Sequence, residues 1–473
     1  MSWKKLLTRK NSIFMDSMKL LGASHLYVNL GYDYRIKNYK IVNGANYVGQ
    51  DYEVYIENLK SEYKKNREIL NNIFSSGISD IKKLEKTWKQ IKKTNTNKLS
   101  DIELKKIFDK YVDSLYRLMA YLFTPLFAEK ILTGEVSSII AKYSDEESIK
   151  RLLPILTASE ELSMVQKENI DFYELMKKIS MSKTENNTLI ENHLSKWAWL
   201  GDHNYFGYFW TSNEIILRIK NSKNKDFTKE ISNIKQDLEN TKKEYCSVIK
   251  KWNPSEKEKN IIRLTKKFVY FRTFRLDMLF YSELLVQNLL LETAKRLGLS
   301  YRELMMLSPS EVSNSILKKN NFKNEISERN KFYAIILIGG QVKIYSGKKA
   351  EEFLESEQGD ESVKELRGNP AYPGIVRGNA RIIIDKTDFK NFSSKEVLVS
   401  PMTTPDFVPL MERCSAIVTD EGGITCHAAI VSREMKKPCI MGTRNATRIL
   451  KDGDLIEVNA GTGIIKILKS KRV

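Results

Sequence analysis

Cysteine is scarce in this chain: four residues in 473, Cys246, Cys414, Cys426 and Cys439, with no CxxC pair. That argues against a disulfide framework or a structural zinc site and fits a reducing cytoplasm. No apolar run approaches the roughly 20 residues that span a bilayer; the longest candidates lie around Leu284–Leu291 and Ala334–Ile338. The first residues, MSWKKLLTRKNSIFMDSMKLL, interleave basic and apolar side chains where a signal peptide needs an unbroken apolar core. The expectation is a chain that is neither secreted nor embedded in a membrane. A P-loop pattern GxxxxGK[ST] is missing, and so is any regular repeat of 20 to 50 residues, which leaves no support for a solenoid array. Glycine and proline are scarce over residues 1–330, with 9 and 4, but not over 365–473, with 9 and 6 in a third of the length.

What is present is enough apolar material, 41% of residues, for packed cores. A chain this long ordinarily divides into two or three domains. The formal charge of +19 could serve nucleic acid, an anionic surface or phosphorylated partners. From Glu365 to Val473 there are 17 basic and 12 acidic residues, a surplus of only 5, so the excess is spread along the chain. Its Lys runs are mixed with Asn and acids, as on solvated faces. A nucleic-acid reading rests on charge alone and would demand a steep salt dependence; it is not favoured.

The composition break predicts a multidomain α and α/β protein. Residues 1–330 read as a large, mostly helical domain, 331–364 as a hairpin and linker, and 365–473 as a small β/α domain. In the first part, Ile102, Leu104, Ile107, Phe108, Tyr111, Val112, Leu115 and Leu118 recur at helical spacing behind the capping box of Ser100 and Glu103. The same start signal recurs at Ser255/Glu258 and at Ser308/Glu311, the latter with Pro309 in the first helical position. From Ser255 to Leu297 there is no Gly or Pro, and Gly298 follows, which predicts one long helix with a C-terminal stop. KFYAIILIGGQVKIYSG predicts a hairpin about Gly339-Gly340, and a hinge is expected between about Ser356 and Pro370. Beyond it, short strands are expected at Gly378–Ile384, Val397–Ser400, Ala416–Thr419, Cys439–Gly442 and Leu455–Asn459, with a helix at Thr425–Glu434.

The stretch AIVTDEGGITCHAAIVSRE carries the chemistry. It reads as a buried strand, a Gly-Gly turn, then a helix whose first turn contains His427. A helix start offers unpaired N–H groups and a positive dipole end, a natural phosphate site. Gly422 and Gly423 let backbone approach a ligand closely, and Thr425 can cap the helix or contact a phosphate oxygen. A neutral imidazole there can act as a nucleophile. From spacing alone, His427 could equally cap the helix or pack beside Cys426.

The segments AYPGIVRGNARII, VLVSPMTTPDFVPLMERCSAIVTDEGGITCHAAIVSRE and KKPCIMGTRNATRILKDGDLIEVNAGTGIIKIL resemble the mobile phosphohistidine domain of the phosphoenolpyruvate synthase and pyruvate phosphate dikinase family. The resemblance covers about 105 residues and implies a small swivelling β/α domain. In it, His427 accepts a phosphoryl group from ATP and passes it on, with Gly422, Gly423, Thr425 and Arg433 as phosphate contacts. Arg433 could equally form a surface ion pair. Cys426 stands where many members have Ser, so a hydroxyl role is lost there. Neither an ATP-grasp domain nor the family's carboxy-terminal barrel is recognisable. The implied donor, ATP with Mg²⁺, is therefore expected on an ATP-grasp partner subunit. The region from Lys267 through the hairpin is similar, more weakly, to that preceding the mobile domain in rifampin-phosphotransferase-like relatives. This implies a helical domain that holds a small-molecule acceptor.

Two clusters are candidate acceptor sites. KWAWLGDHNYFGYFWTSNE supplies aromatic walls with Asp202, His203 and Glu214 as possible bases, although such a segment can equally be core or an interdomain contact. Arg272 and Arg275 could clamp the phosphorylated domain or its substrate, or could pair at the surface with Asp277 or another acid. The alternative to a phosphotransferase component is a non-catalytic regulatory or scaffolding relative that keeps the fold. No metal site is expected in the chain.

Overall fold

The computed structural model describes residues 3–8, 11–24, 36–145, 147–181, 187–202, 205–222, 226–338, 340–353, 365–384, 386–404, 407–423 and 426–470. The three capping boxes form as their spacing predicts. Ser100 Oγ accepts from the Glu103 amide, and Glu103 accepts from Ser100 N, at the head of the helix Asp101–Met119. Ser255/Glu258 and Ser308/Glu311 repeat the arrangement at the heads of Glu256–Leu285 and Pro309–Lys318. Such a cap contributes about 1 kcal/mol by satisfying amides the helix itself leaves open.

The expected helix from 255 to 297 is interrupted once. Glu256–Leu285 and Gln287–Arg296 meet at Val286, whose backbone sits at φ −107°, ψ 14°. This departs from helical geometry, and the lack of Gly or Pro gave no warning of it. The stop at Gly298 is as expected: its φ is +66°, and Leu299 N turns back to donate to Ala294 O at 3.0 Å. The helices Thr124–Tyr143 and Glu256–Leu285 pack side by side. Against the same long helix, Ile69–Lys92 brings Gly77 so close that an added Cβ would lie 2.3 Å from Phe271 Cζ. The surrounding core is rich in buried aromatics, among them Trp88, whose Nε1 donates to Ser114 Oγ at 2.7 Å.

Helix is not the whole of the amino-terminal region. Strands β1 (Lys4–Thr8), β2 (Tyr39–Val42) and β3 (Ala45–Val48) join the hairpin β4 (Tyr333–Ile338) and β5 (Gln341–Ser346) in an antiparallel sheet of order β1-β3-β2-β4-β5. Ile338 opposes Gln341 at the hairpin end, and Ile41 opposes Ile335 across β2 and β4. The hairpin that the sequence sets apart with a linker is thus bonded to the amino-terminal strands. Four-residue strands buried on both faces show no alternation, which is why composition missed them. Of the hinge expected between about Ser356 and Pro370, residues 356–364 lie outside the described residues, and the rest runs into the strands Glu365–Arg367 and Asn369–Tyr372.

The carboxy-terminal region forms an eight-stranded sheet of order β6-β13-β12-β8-β9-β10-β11-β7. Its strands are β6 (Glu365–Arg367), β7 (Asn369–Tyr372), β8 (Ile375–Ile382), β9 (Val397–Ser400), β10 (Ala416–Thr419), β11 (Cys439–Met441), β12 (Leu455–Asn459) and β13 (Ile464–Lys469). β8, β9, β10 and β11 run parallel. β9 and β10 are buried at every position, as strands covered on both faces must be. Helices Val408–Arg413 and His427–Glu434 connect β9 to β10 and β10 to β11. Large helical and β-rich parts therefore follow one another in the chain.

Candidate functional site

In a parallel sheet, ligands gather beyond the carboxyl ends of the strands, and here the loops after β9, β10 and β11 meet. After β9, Ser400 Oγ donates to Met402 O at 2.7 Å and shapes the turn that presents Thr403, which is buried. After β10 comes Asp420-Glu421-Gly422-Gly423, and then the helix His427–Glu434 with Cys426 at its N-cap. Thr403 Oγ1 lies 2.8 Å from His427 Nδ1. This contact fixes the ring against the turn after β9. When Nδ1 carries the proton and donates to Thr403, the lone pair lies on Nε2.

Cys426 stands at the N-cap of this helix without a side-chain cap bond. Its thiol is pushed up mainly by burial, against the opposing pull of the Ala428 and Ala429 amides and of Arg433 and Arg272. It stays a thiol rather than a reactive thiolate. Gly422 has φ +118°, and a Cβ there would meet Cys426 Sγ at 2.6 Å, whereas Gly423 has open space on its Cβ side. Asp420 anchors the turn, accepting from Thr443 Oγ1 at 3.2 Å, from Thr447 N at 3.0 Å and from Thr447 Oγ1. Burial raises its pKa, with those three bonds opposing. Thr443 follows β11, so all three loops are tied together.

The loop after β10 touches the amino-terminal region. Thr8 N, at the end of β1, donates to Glu421 Oε1 at 2.7 Å, and the Lys5 charge acts on Asp420. Arg272 on the long helix acts on Cys426. At the other end of the helix His427–Glu434, Glu434 is pushed up by burial and by Asp237 of the helix Phe227–Trp252. Arg272 Nη1 donates to Glu129 Oε1 at 2.9 Å and forms no ion pair with Asp277. Arg275 beside it is 3% exposed, and burial, with the neighbouring Arg272, pushes it down to about 9.

The remaining sequence candidates fall elsewhere. Thr425 and His203 lie outside the described residues. Arg433 sits in the last turn of the helix His427–Glu434, where Nε donates to Ala371 O at 3.4 Å and ties the helix to β7. Asp202, 1% exposed, accepts from the amides of Phe206 at 2.8 Å, Gly207, and Tyr208 at 2.9 Å. It organises its own loop. Glu214 completes a capping box with Thr211. Both carboxylates serve local backbone, and the aromatic segment packs into the helical core through Trp199, which lies 6.1 Å from Tyr281. Thr403 and Glu129 were not singled out from sequence. Thr403 carried a faint signal, a hydroxyl within the resembling segment, and Glu129 carried none. Among the described residues, no three His, Cys, Asp or Glu side chains are grouped to hold a metal, and no helix is long and apolar enough to cross a membrane.

The histidine at a helix start beyond the parallel strand ends lies within a segment that resembles known proteins. Residues 392–463 match the family model described as PEP-utilising enzyme, mobile domain. Through this domain the chain is related to the phosphoenolpyruvate synthases. It is 47% identical over 118 residues to a probable phosphoenolpyruvate synthase of Archaeoglobus fulgidus, covering 25% of this chain and 15% of that protein. The phosphoenolpyruvate synthase of Pyrococcus furiosus is 45% identical over 111 residues, 24% of this chain and 14% of the relative. A Bacillus subtilis protein named uncharacterized phosphotransferase YvkC is 33% identical over 203 residues, 41% of this chain and 24% of its own. That span exceeds the region 365–473, so the match reaches back into the helical part. The chain spans less than a quarter of the length of these relatives.

Proposed function

We propose that this protein is a phosphotransferase component in which His427 carries a phosphoryl group from ATP to a small-molecule acceptor held by the helical region. The observation that carries this reading is the 2.8 Å contact of Thr403 Oγ1 with His427 Nδ1 at the head of the carrier helix. It anchors the ring at Nδ1 and leaves Nε2 as the phosphoryl-bearing nitrogen in this reading, at a helix start whose positive end favours the new charge. The docking through Thr8, Glu421 and Arg272 supports delivery into the helical region. ATP and Mg²⁺ belong, in this reading, to an ATP-grasp partner. The carrier swings between that partner and the docked position described here.

Once the carrier is docked, the work left to the protein is positioning and charge neutralisation. Arg272 and Arg275 supply the positive charge on the helical side. The test is incorporation of label from β- and γ-labelled ATP in the presence of candidate ATP-grasp proteins, comparing wild type with His427→Ala. Acid-labile, alkali-stable label confined to wild type is the expected result, and its position in ATP identifies the donated phosphate. Label that persists in His427→Ala would remove the carrier role from this histidine.

A further inference from the structure

The turn after β10 and the edge of the amino-terminal sheet, 413 positions apart in the chain, meet at a backbone donor: Thr8 N donates to Glu421 Oε1 at 2.7 Å. β1 lies at the edge of its sheet, and an edge strand turns N–H groups outward that no neighbouring strand pairs. Its register against β3 shifts between Lys5 and Leu7, and the pairing ends with Thr8 opposite Ala45. An irregularity of this kind re-aims a strand end. On the other side, Glu421 is held by its own backbone. Its N donates to Pro401 O at 3.0 Å, and its carbonyl accepts from Thr419 Oγ1 at 2.6 Å. The carboxylate therefore reaches from a fixed turn to the edge of β1. Charge reinforces the contact, since Lys5 of the same strand acts on the neighbouring Asp420.

Resting on the carrier reading above, we infer that Glu421 is a latch: it seats the carrier on the edge of β1 and acts on the carrier's position, not on the chemistry at His427. Two adjacent acids divide the work. Asp420 is spent inside its own domain, on Thr443 Oγ1 and Thr447 N, whereas Glu421 reaches out of it to Thr8. The donor is main chain, so the contact asks for the path of β1 and not for the side chain at position 8. A carboxylate accepting from an amide binds more strongly than a neutral pair. The contact is only partly buried, so water replaces it when the carrier leaves. The latch thus weights one position among those the carrier visits, by as much as this contact is worth.

The test is amide hydrogen exchange on the full chain, resolved to residue 8 by fragmentation of the labelled peptides. In wild type, and in Thr8→Ala, which keeps the donor, the amide of residue 8 should exchange slowly. In Glu421→Ala it should exchange roughly tenfold faster or more, with the amides of Asn46 and Tyr47 on β3 unchanged. Glu421→Gln keeps an uncharged acceptor oxygen and should restore part of the protection; should the Ala variant not fold, the Gln variant must by itself exchange faster than wild type. Phosphohistidine formed with phosphoramidate and read by ³¹P NMR should be as abundant in the Glu421 variants as in wild type. An unprotected residue-8 amide in wild type, or protection that survives Glu421→Ala, would overturn the latch. Loss of phosphohistidine in a folded Glu421→Ala would do the same, by placing Glu421 in the chemistry. A wild-type chain that protects residue 8 yet forms no phosphohistidine would instead strike the carrier reading itself.

Discussion

At the residue scale, the site depends on one hydroxyl and on a few buried charges. Thr403→Val keeps shape and burial but removes the bond to His427 Nδ1, so the ring loses its anchor on the turn after β9. A bond of this kind is worth about 1.5–3 kcal/mol when one partner becomes charged. Phosphohistidine formation is therefore expected to drop between about tenfold and about a hundredfold, as read by acid-labile label, with thermal stability little changed. Asp277 on the long helix offers a separate check. Burial pushes its pKa up to about 8, against the pull of Lys167. The folded chain keeps this proton after the unfolded chain has lost it near pH 4, so stability falls as pH rises between those values. Asp277→Asn should be more stable than wild type by roughly 1–3 kcal/mol at pH 8, and the gain should vanish near pH 4. Denaturant unfolding at the two pH values measures it.

At the element scale, the long helix Glu256–Leu285 both organises the helical core and presents Arg272 to the carrier. Its approach to the helix Ile69–Lys92 depends on Gly77, since a Cβ would sit 2.3 Å from Phe271 Cζ. Gly77→Ala should therefore force the two helices apart and cost about 1–3 kcal/mol, despite the better helix propensity of Ala. A lowered unfolding midpoint checks the first part. Because Arg272 lies on the displaced helix, slower transfer from an otherwise normal phosphohistidine is the second expectation. The capping boxes, by contrast, are local devices. Each was readable because the Ser and the Glu three residues later belong to the same turn.

For the whole molecule, the buried apolar side chains form several clusters, none of which mixes the two parts of the chain. One lies around Phe268, Phe271, Trp88 and the sheet of β1 to β5, three smaller ones also belong to the first part, and two lie on the faces of the eight-stranded sheet. Separately packed cores unfold as separate cooperative units unless a large apolar interface joins them. Among the described residues, the link from Thr8 to Glu421 that joins them is polar. Calorimetry should therefore resolve at least two transitions, and a His427→Ala substitution should leave both in place. A carrier that must leave its docking site needs such independence, because an apolar seal would hold it down.

The sequence by itself determined the division into a helical and a β-rich part, the helix starts, most strands of the carboxy-terminal sheet and the histidine at the helix head. Each of these is written in neighbours a few residues apart, in periodicity, caps and Gly-Gly turns. Tertiary structure alone decided that Thr403 orients His427 and that the hairpin after residue 331 pairs with β2. It alone set Arg272 against Glu129 rather than Asp277. These contacts join residues from 24 to about 300 positions apart. No local pattern encodes which distant side chain will complete a buried hydrogen bond, because that choice follows from how whole helices and sheets pack.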